Sequence, residues 1–497
     1  MHSLQEYISL LDERGLVVEV SALEAEAEKT VEYISYDSGD LRSGTMFVCK
    51  GAQFYVKYLK DALEKGAFVY VSEVKYESGD GFPCIIVNDI RKAMAAIAGF
   101  YYNYPREKLV LTGVTGSAGK STTVYFMRHI IDAYMKSLKK PESAVISSID
   151  TYDGIINEES HVTTPEAFVL HRHFDSAVKS GIEYMSMEVS SQALKYHRTM
   201  DVIFDAACFL NIGIDHISDV EHSDFDDYLN SKLLIFRQCK VACVNMESDH
   251  FDRIFKAAKE HAPKTVTFGL RPEADFYAYD INVNMENITF KVRCGDFDKE
   301  FDMAMAGLFN VENALAAITA AHALKIPYES IFDGVKTVHL SGRMEMFRSK
   351  KRDVTAIVNY AHNLISFEAL FKHTQKQFPD KKISILFGCA GKKALGRRRE
   401  MGGVAGKYAD KTYITEDDPG EEDLIKICEE IAVHVKAEGG DYEIVPDRGD
   451  AIKRAIDDAE DGTVILVTGK GRETRQKRGK LYVEVISDVE YVQKFLD

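Results

Sequence analysis

The sequence predicts an α/β protein with three domains, and three observations lead to this fold class. Short apolar segments of β type are followed by polar strand ends and then by helical patterns along most of the chain, which is typical of parallel sheets. A glycine-rich turn joins one such strand to its helix. The length of 497 residues also suits about three domains of roughly 100–200 residues each.

The glycine-rich turn lies in residues 109–123, LVLTGVTGSAGKSTT, where an apolar strand enters a loop and a helix follows. Its glycines, 113, 116 and 119, allow backbone N–H groups to face a phosphate, and the helix N-terminus adds partial positive charge. Lys120 can then reach the β- and γ-phosphates, and Ser121 can offer its hydroxyl to Mg²⁺. The spacing departs from the strict P-loop pattern, since valine occupies position 114. A glycine-rich turn with a chance Lys-Ser pair is the alternative interpretation, which the strand and helix context disfavours.

The amino-acid composition is typical of a globular protein and argues against binding to nucleic acids or to membrane surfaces. Hydrophobic residues make up 45% and charged residues 28%, as in ordinary globular proteins. The formal net charge of −16 argues against general nucleic-acid binding and against attraction to an anionic membrane surface. Two basic segments, 392–399 and 470–480, could still bind an anionic ligand locally. On charge alone they could equally be solvated surface loops.

The cysteines and the N-terminus indicate a cytoplasmic protein. The 8 cysteines form no paired CxxC pattern, which excludes a zinc ribbon and a disulfide scaffold and favours a reducing compartment. The N-terminal segment is acidic and amphipathic, without the basic region of a signal peptide. Because no apolar run approaches the length of about 18 residues that a membrane span needs, no membrane insertion is expected.

The pattern divides into ranges 1–106, 107–341 and 342–497. The first reads as a small α/β unit, with strands at 45–49, 68–71 and 84–87 and helices at 56–65 and 90–101. The second contains the glycine-rich turn and most polar strand ends. The third repeats the strand-helix alternation and predicts a Rossmann-like sheet with strands at 355–359, 383–387, 412–415 and 463–468.

Glu188 and His216 are candidate metal ligands, because each lies where an apolar run gives way to a polar loop. If the strands flank the glycine-rich turn, both side chains could hold Mg²⁺, which takes few protein ligands. A strand-end glutamate and a helix-capping Asp-His pair would give the same pattern, so the spacing leaves both interpretations open.

A set of motifs resembles the Mur ligase family, within it the branch that adds the third residue of the UDP-N-acetylmuramoyl peptide. The motifs occur in the family's order from about residue 30 to about 476: GVTGSAGKST, TTPE, MEVSSQAL, NIGIDHI, SKLLIF, GLFNVENALAA, SGRMEMF, NYAH, FGCAGKKALGRRREMG, TEDDPGEED and GKGRETRQ. The resemblance implies an N-terminal UDP-binding domain, a central P-loop ATPase with a mainly parallel sheet and a C-terminal Rossmann-like amino-acid-binding domain. It also implies that ATP converts a substrate carboxylate into an acyl phosphate, which an amino group then attacks.

The resemblance implies roles for the nucleotide and metal residues. Catalysis would involve Lys120, Glu188, His216 and Lys232. Mg²⁺, in two ions, would be held by Ser121, Glu188, His216 and Lys232, the last as a CO₂-derived carbamate. Without the family, Lys232 would be read as an ordinary surface lysine. ATP would be bound by Gly116, Gly119, Lys120, Ser121, Thr122, Asn310, Asn313, Arg343, Asn359 and His362. Asn310 and Asn313 could also be caps of a helix at 313–324.

The resemblance further implies a UDP-N-acetylmuramoyl dipeptide and a basic amino acid as substrates, and a monomer is expected. The UDP-linked substrate would contact Ser38, Thr163, Thr164, Ser190 and Arg198. The amino acid would contact Arg398, Asp417, Asp418, Gly469 and Glu473. In diaminopimelate-adding members an arginine stands where this chain has Gly420, which follows Asp417-Asp418-Pro419. Loss of that guanidinium, with Asp418 alongside, favours a distal ammonium, so L-lysine is the preferred substrate and ornithine an alternative.

Several positions depart from the family pattern, namely Gly39, Gln192, Asn359, Asn363-Leu364 and Arg472. They leave open a paralogue that uses another carboxylate acceptor or amino acid, or a non-catalytic nucleotide-sugar binder. A folylpolyglutamate synthase is disfavoured by the UDP-side motif, and a P-loop switch or motor by the large C-terminal domain and the lack of an Asn-Lys-x-Asp motif.

Overall fold

The computed structural model describes residues 1–21, 24–51, 54–160, 162–218, 221–283, 287–305, 307–338, 340 and 342–497. Residue 341, the first of the SGRMEMF motif, lies outside the described residues. The described residues form sheets of five, eleven and six strands and two smaller two-stranded sheets. Each large sheet falls within one of the three predicted ranges, whose limits remain predictions. The predicted α/β class is confirmed.

The N-terminal unit packs helices on a five-stranded sheet of order β2-β7-β6-β5-β4. The predicted strands and helices of this unit are present, with ends within one residue. Asp89 caps the last helix by accepting hydrogen bonds from two backbone N–H groups. The elements are β1 His2–Ser3, α1 Leu4–Glu13, β2 Val17–Ser21, α2 Glu24–Ala27, β3 Thr30–Val31, β4 Tyr33–Ser35, β5 Thr45–Val48, α3 Val56–Glu64, β6 Ala67–Ser72, β7 Cys84–Val87 and α4 Ile90–Tyr101.

The central unit is built on an eleven-stranded sheet of order β11-β10-β9-β12-β8-β13-β14-β15-β16-β17-β18. The strands from β9 to β16 pair in parallel, and the two ends of the sheet are antiparallel. The elements are β8 Val110–Thr115, α5 Lys120–Ser137, β9 Ala144–Ile146, β10 Asp150–Tyr152, β11 Asn157–Glu159, α6 Ala167–Lys179, β12 Tyr184–Glu188, α7 Ser191–Lys195, β13 Phe204–Phe209, α8 Phe225–Leu233, β14 Cys239–Asn245, α9 Phe251–His261, β15 Lys264–Gly269, β16 Phe276–Val283, β17 Ile288–Cys294, β18 Phe297–Met303, α10 Phe309–Ala323 and α11 Tyr328–Thr337.

Strand β13 shows why this sheet is apolar on both faces. Ala206 and Cys208 pack into one core with α5, α10 and α11, whereas Ala207 and Phe209 pack into the opposite core with α6, α8 and α9. Successive side chains of a strand point to opposite faces, so a strand covered on both sides is apolar throughout.

The C-terminal unit has a six-stranded sheet of order β19-β20-β24-β21-β22-β23, parallel except for the β19–β20 pair. The four strands predicted for its Rossmann-like pattern are confirmed. The elements are β19 Glu345–Arg348, β20 Val354–Asn359, α12 Leu364–Gln377, β21 Lys382–Phe387, α13 Gly396–Tyr408, β22 Lys411–Ile414, α14 Leu424–Ala437, β23 Tyr442–Ile444, α15 Arg448–Asp457, β24 Thr463–Thr468, β25 Arg475–Arg478, β26 Leu481–Glu484 and α16 Asp488–Phe495.

The strand order explains where the site lies. Strand β8 pairs in parallel with β12 on one side and β13 on the other. The glycine-rich loop after β8, Glu188 at the end of β12 and the 211–216 segment after β13 therefore meet at one edge of the sheet. Among the described helices, none is long and apolar enough to span a bilayer.

Candidate functional site

A cavity of about 620 Å³ lies between the central and C-terminal units. It is lined by the glycine-rich loop, the ends of β12 and β13, the start of α10 and the segment after β20. The structure thereby brings together a large share of the predicted site, namely Gly119, Lys120, Ser121, Thr122, Thr163, Glu188, His216, Asn310, Asn313, Arg343, Asn359 and His362.

The glycine-rich loop has the geometry of a phosphate cradle. Gly119 precedes α5 with a φ of +83°, a left-handed conformation that glycine adopts without strain. Asn211 fixes the loop from the neighbouring strand end: its Oδ1 accepts from the Ala118 N–H at 2.9 Å and its Nδ2 donates to the Ala118 carbonyl at 3.2 Å. The Lys120 ammonium donates to the Gly116 carbonyl at 3.0 Å. Burial lowers the pKa of Lys120, against the opposing effect of Glu188.

Oxygen ligands suited to Mg²⁺ lie beside Lys120. Glu188 is buried, and its Oε1 accepts hydrogen bonds from the backbone N–H of Ser148 at 2.7 Å and from its hydroxyl at 3.1 Å. The Ser148 hydroxyl also lies 3.1 Å from the Ser121 hydroxyl. His216 lines the same cavity, and Glu221 orients its ring through Nδ1 at 2.8 Å. A carboxylate, a hydroxyl and an oriented imidazole fit a hard cation that keeps most of its ligands as water and phosphate.

Lys232 is not a surface lysine. It is 2% exposed, lies 4.7 Å from the centre of the Tyr228 ring, and donates to the Gly116 carbonyl at 3.0 Å. The Nζ atoms of Lys120 and Lys232 thus share one carbonyl oxygen. Burial, reinforced by Lys120, holds the pKa of Lys232 well below its ordinary value. The interpretation of Lys232 as an ordinary surface residue is wrong.

Asn310 and Asn313 lie inside a helix and not at its cap. Helix α10 begins at Phe309 after Leu308, so the alternative reading of both asparagines as caps is wrong. The Asn313 amide donates to Asn310 Oδ1 at 3.1 Å. A Cβ added at Gly119 would lie 2.3 Å from Asn313 Oδ1. This close approach means that α10 packs directly on the phosphate loop and that only glycine fits there.

Arg343 and His362 enter the cavity from the C-terminal unit. The Arg343 guanidinium stacks 4.0 Å from the centre of the Tyr360 ring and donates to the Ser121 hydroxyl at 3.4 Å. The Tyr360 hydroxyl in turn is hydrogen-bonded to Glu473. Burial lowers the pKa of His362 to about 3, so its ring is neutral. Its Nδ1 donates to the Tyr360 carbonyl at 2.8 Å, which leaves Nε2 as an acceptor.

The predicted UDP-side residues form a network around the segment 163–166. The Thr164 hydroxyl donates to the Glu188 carbonyl at 2.9 Å and accepts from the Ser190 N–H at 3.0 Å. Arg198 donates to the Thr164 carbonyl at 2.9 Å and pairs with Glu166 at 2.7 Å. The network therefore connects the predicted substrate residues directly to the end of β12.

Glu166 also links this network to the N-terminal unit, because Lys50 pairs with the same carboxylate oxygen at 2.9 Å. The Lys50 ammonium lies 4.8 Å from the centre of the Tyr36 ring. Ser38 follows in the adjacent turn, where its carbonyl accepts from Lys65 at 2.9 Å. Lys50 and Glu166 thus connect the predicted uridine-side turn to the central unit.

The predicted amino-acid residues cluster around a buried lysine. The Lys470 ammonium contacts Asp418 at 3.0 Å and Glu473 at 2.6 Å. Asp417 lies against Gly469, whose φ of +111° and lack of a side chain permit the contact: an added Cβ would be 2.5 Å from Asp417 Oδ2. Burial raises the pKa of Asp417 to about 6, although Lys470 and Arg448 oppose this shift. The carboxylates outnumber the ammonium, so the cluster favours a further cation.

Arg398 binds carboxylates other than those of this cluster. Its guanidinium binds both carboxylate oxygens of Glu422, at 2.8 and 2.7 Å, and one oxygen of Glu430 at 2.6 Å. The remaining Nη2 hydrogen points to the Ala390 carbonyl at 3.5 Å. Arg398 would have to break these bonds to bind an amino-acid carboxylate, so its predicted binding role stays a prediction.

The sequence analysis did not predict several residues of the site, although most of them lie within the motifs and basic segments that it identified. Glu166 and Asp215 belong to quoted motifs, and Lys470 and Arg397 belong to the two basic segments. Most of their ion-pair partners come from distant parts of the chain, as Arg397 does for Asp215, so local spacing does not identify them; an exception is the pair of Lys470 with Glu473, three residues away. Ser148, which follows β9, was not predicted as a site residue either.

Comparisons with known proteins point to one family. Residues 114–321 match the Mur ligase middle domain, and residues 342–471 match the Mur ligase, glutamate ligase domain. The UDP-N-acetylmuramoyl-L-alanyl-D-glutamate--L-lysine ligase of Enterococcus faecalis is 36% identical over 459 residues, covering 90% of this chain and 88% of that protein. The UDP-N-acetylmuramyl-tripeptide synthetase of Lactobacillus delbrueckii subsp. bulgaricus is 34% identical over 495 residues, covering 96% and 95%.

Solved structures share the fold. A UDP-N-acetylmuramoyl-L-alanyl-D-glutamate--2,6-diaminopimelate ligase superposes with a TM-score of 0.66 at 24% identity, over 100% of this chain and 99% of that one. MurF of Thermotoga maritima in complex with ADP superposes with a TM-score of 0.61 at 18% identity, over 94% and 97%. With two domain matches and relatives above 30% identity over nearly the whole chain, the chain belongs to the Mur ligase family of ATP-dependent, amide-forming ligases.

Proposed function

We propose that the protein joins L-lysine to UDP-N-acetylmuramoyl-L-alanyl-D-glutamate at the expense of ATP, in the synthesis of peptidoglycan precursors. The observation that carries this proposal is the cavity, which places the phosphate loop, Glu188 and His216 opposite Arg343 and His362. The predicted UDP-side network reaches this cavity through Thr163, and the carboxylate cluster reaches it through the Glu473–Tyr360 contact. The E. faecalis relative is named as a lysine ligase, which supports the same assignment.

The reaction needs an anionic transition state to be stabilised, and the chain supplies the donors. Lys120 and the loop N–H groups would bind the phosphate that passes from ATP to an oxygen of the substrate carboxylate, releasing ADP. Arg343 adds a guanidinium from the opposite wall. The lysine amine nitrogen then attacks the carbonyl carbon of the acyl phosphate, an amide bond forms, and inorganic phosphate leaves. The N–H groups and Lys120 hold the phosphate oxygens during both steps.

Ser121, Glu188 and His216 would hold Mg²⁺, because their oxygen and imidazole donors line the cavity beside Lys120. When bound, the ion would neutralise phosphate charge and help to keep the reacting groups in line. Ser148 keeps Glu188 oriented for this task through its two hydrogen bonds.

Lys232 is proposed to carry a carbamate. Its burial and lowered pKa supply the uncharged amine that reaction with CO₂ requires. Carbamylation would convert this amine into an anion beside Lys120, so that the two side chains would attract each other. The carbamate could then serve as a ligand for a second Mg²⁺.

The proposal that lysine is the added amino acid rests on the charges of the residues around its predicted site. Asp417, Asp418 and Glu473 surround a single ammonium, that of Lys470. Gly420 has a φ of +59°, and its backbone pairs with the hairpin of β25 and β26 by hydrogen bonds to Lys477 and Gly479. It offers no cation for a distal carboxylate, so a distal ammonium is favoured over a diaminopimelate carboxylate.

The chain is proposed to act as a monomer in the cytoplasm, since one chain supplies every wall of the cavity and the reaction consumes ATP. Light scattering during size-exclusion chromatography measures the mass directly. A mass near 55.9 kDa supports the monomer, and twice that value contradicts it.

The test of the function is amino-acid-dependent phosphate release with ATP, Mg²⁺ and UDP-N-acetylmuramoyl-L-alanyl-D-glutamate, with products identified by mass. Lysine, ornithine and meso-diaminopimelate are compared. We expect turnover with lysine and its loss in Lys120→Met, whereas Lys494→Met on the C-terminal helix serves as control. Preference for diaminopimelate would contradict the Gly420 argument. Absence of product with every amino acid, despite ATP binding, would favour a paralogue with another acceptor.

A further inference from the structure

Two side chains of the C-terminal unit converge on one buried carboxylate of the central unit. Arg397 at the start of α13 binds Asp215 through Nε at 2.9 Å and through Nη2 at 3.0 Å. Asn363, immediately before α12, donates to the second oxygen of Asp215 at 3.1 Å. The side chain of Asp215 is 2% exposed and that of Arg397 is 16% exposed, so the three groups are largely removed from water.

The same carboxylate is bonded to the catalytic edge of the central sheet. Asp215 Oδ1 accepts from the backbone N–H of His216 at 3.0 Å, and Asn363 Nδ2 also approaches the carbonyl of Ser117 in the phosphate loop at 3.4 Å. The Ser117 hydroxyl in turn accepts from the Gly213 N–H at 3.1 Å. The contact therefore joins the C-terminal unit to the two segments that carry Lys120 and His216.

We propose that Asp215, Arg397 and Asn363 form an interdomain clamp, a set of positioning residues that seats the C-terminal unit on the phosphate loop. The nucleotide site and the amino-acid site both need side chains of the C-terminal unit, Arg343 and His362 for one and Glu473 for the other. The UDP-side network of Thr164, Ser190 and Arg198 does not. The nucleotide site therefore bridges both units, whereas the predicted amino-acid residues all lie in the C-terminal unit, and the clamp brings that site to the cavity.

A second contact between the central and C-terminal units differs from the clamp because it is exposed to water. Thr474 donates to Glu159 at 3.3 Å across an exposed edge, where water replaces the bond at little cost. The clamp instead contains a bidentate Arg–carboxylate pair in a buried setting, whose strength depends strongly on correct alignment of both planes. Its loss would lower the seated fraction, and the apparent affinity of each ligand that bridges both units falls by that fraction.

The experiment compares Asp215→Asn, Arg397→Gln and the double variant in steady-state kinetics. We expect the KM for ATP, whose site uses both units, to rise by about 5- to 150-fold, and the KM for the amino acid, whose predicted residues lie in one unit, to change less. The KM for the UDP-linked substrate should stay within about twofold. The double variant should resemble the single ones, because each single change already opens the clamp. A local folding defect would lower kcat by reducing the active fraction and would leave these KM values unchanged.

Asn363→Asp is a sharper variant, since a carboxylate can still cap α12 by accepting from the Ser366 N–H, as Asn363 Oδ1 does at 3.1 Å. It loses the donor to Asp215 and places two negative charges together. Arg397→Lys should recover part of the effect, because a lysine retains the charge without the bidentate geometry. Arg454→Gln, which removes an exposed ion pair with Glu443 inside the C-terminal unit, is the matched control.

The kinetic part rests on the proposed function, so calorimetric titration of ADP provides an independent measurement. We expect weaker ADP binding in Arg397→Gln and Asp215→Asn, by the same factor as each other, and unchanged binding in Arg454→Gln. If the native enzyme makes no product, the proposed function fails while the titration still decides on the clamp. Unchanged ADP affinity in both clamp variants, or an unchanged KM for ATP in both, would overturn the proposal.

Discussion

Replacement of Ser148 by alanine tests how Glu188 is held. The Ser148 hydroxyl donates to Glu188 Oε1 at 3.1 Å and lies 3.1 Å from Ser121, so it joins the two oxygen ligands expected for Mg²⁺. The variant keeps the backbone N–H bond to Glu188 at 2.7 Å and loses one charge-assisted hydrogen bond, a contribution of about 1.5–3 kcal/mol. If the bond aligns the metal ligands in the transition state, kcat/KM falls on the order of ten- to a hundredfold.

The assay is product formation over a Mg²⁺ titration, and we expect the Mg²⁺ concentration at half-maximal rate to rise in Ser148→Ala. Ser137→Ala is the control: its exposed hydroxyl donates only to a carbonyl at the end of α5, and its rate should equal that of the native enzyme. A native rate and a native Mg²⁺ dependence in Ser148→Ala would refute the view that this hydroxyl orders the site.

Three further results are expected. Burial raises the pKa of Asp417 to about 6, whereas lysine keeps one charge state between pH 5 and 7. Protonation of Asp417 should therefore raise the KM for lysine by up to about tenfold per pH unit below pH 6. Asp417→Asn should remove this dependence on pH. The same raised pKa predicts that native stability declines from about pH 4 to about pH 6, as measured by urea unfolding, and that Asp417→Asn removes the decline. Arg398→Met should cost about 1.5–3 kcal/mol of stability, because it removes the guanidinium that pairs with Glu422 and leaves that carboxylate with the Lys392 N–H as a donor, whereas a native stability with a raised KM for lysine would restore its predicted binding role.

Local patterns account for the parts of the molecule that the sequence predicts well. The pattern is continuous over 28 consecutive residues, which contain the strand before the phosphate loop, Gly119 and the helix from Lys120. The structure has them as β8, the loop and α5. Contacts between residues that are distant in sequence cannot be predicted from such local patterns. Arg397 and Asp215 are 182 positions apart, and no periodicity of side chains records such a pair. Its existence depends on how two units pack, which only the three-dimensional structure shows.

Three of the positions that depart from the family pattern, Asn359, Asn363 and Arg472, have hydrogen-bonding partners in the structure. Asn363 caps α12 and binds Asp215, and Arg472 pairs with Glu345 at 2.9 Å. Asn359 contacts the Met344 sulfur, and its carbonyl accepts from the Gly469 N–H at 3.2 Å beside the amino-acid cluster. An asparagine at 359 lacks the charge of an aspartate but keeps this wall of the cavity in place. A buried polar group that is left unpaired costs stability; these three side chains are paired, so the fold accommodates the departures without that cost.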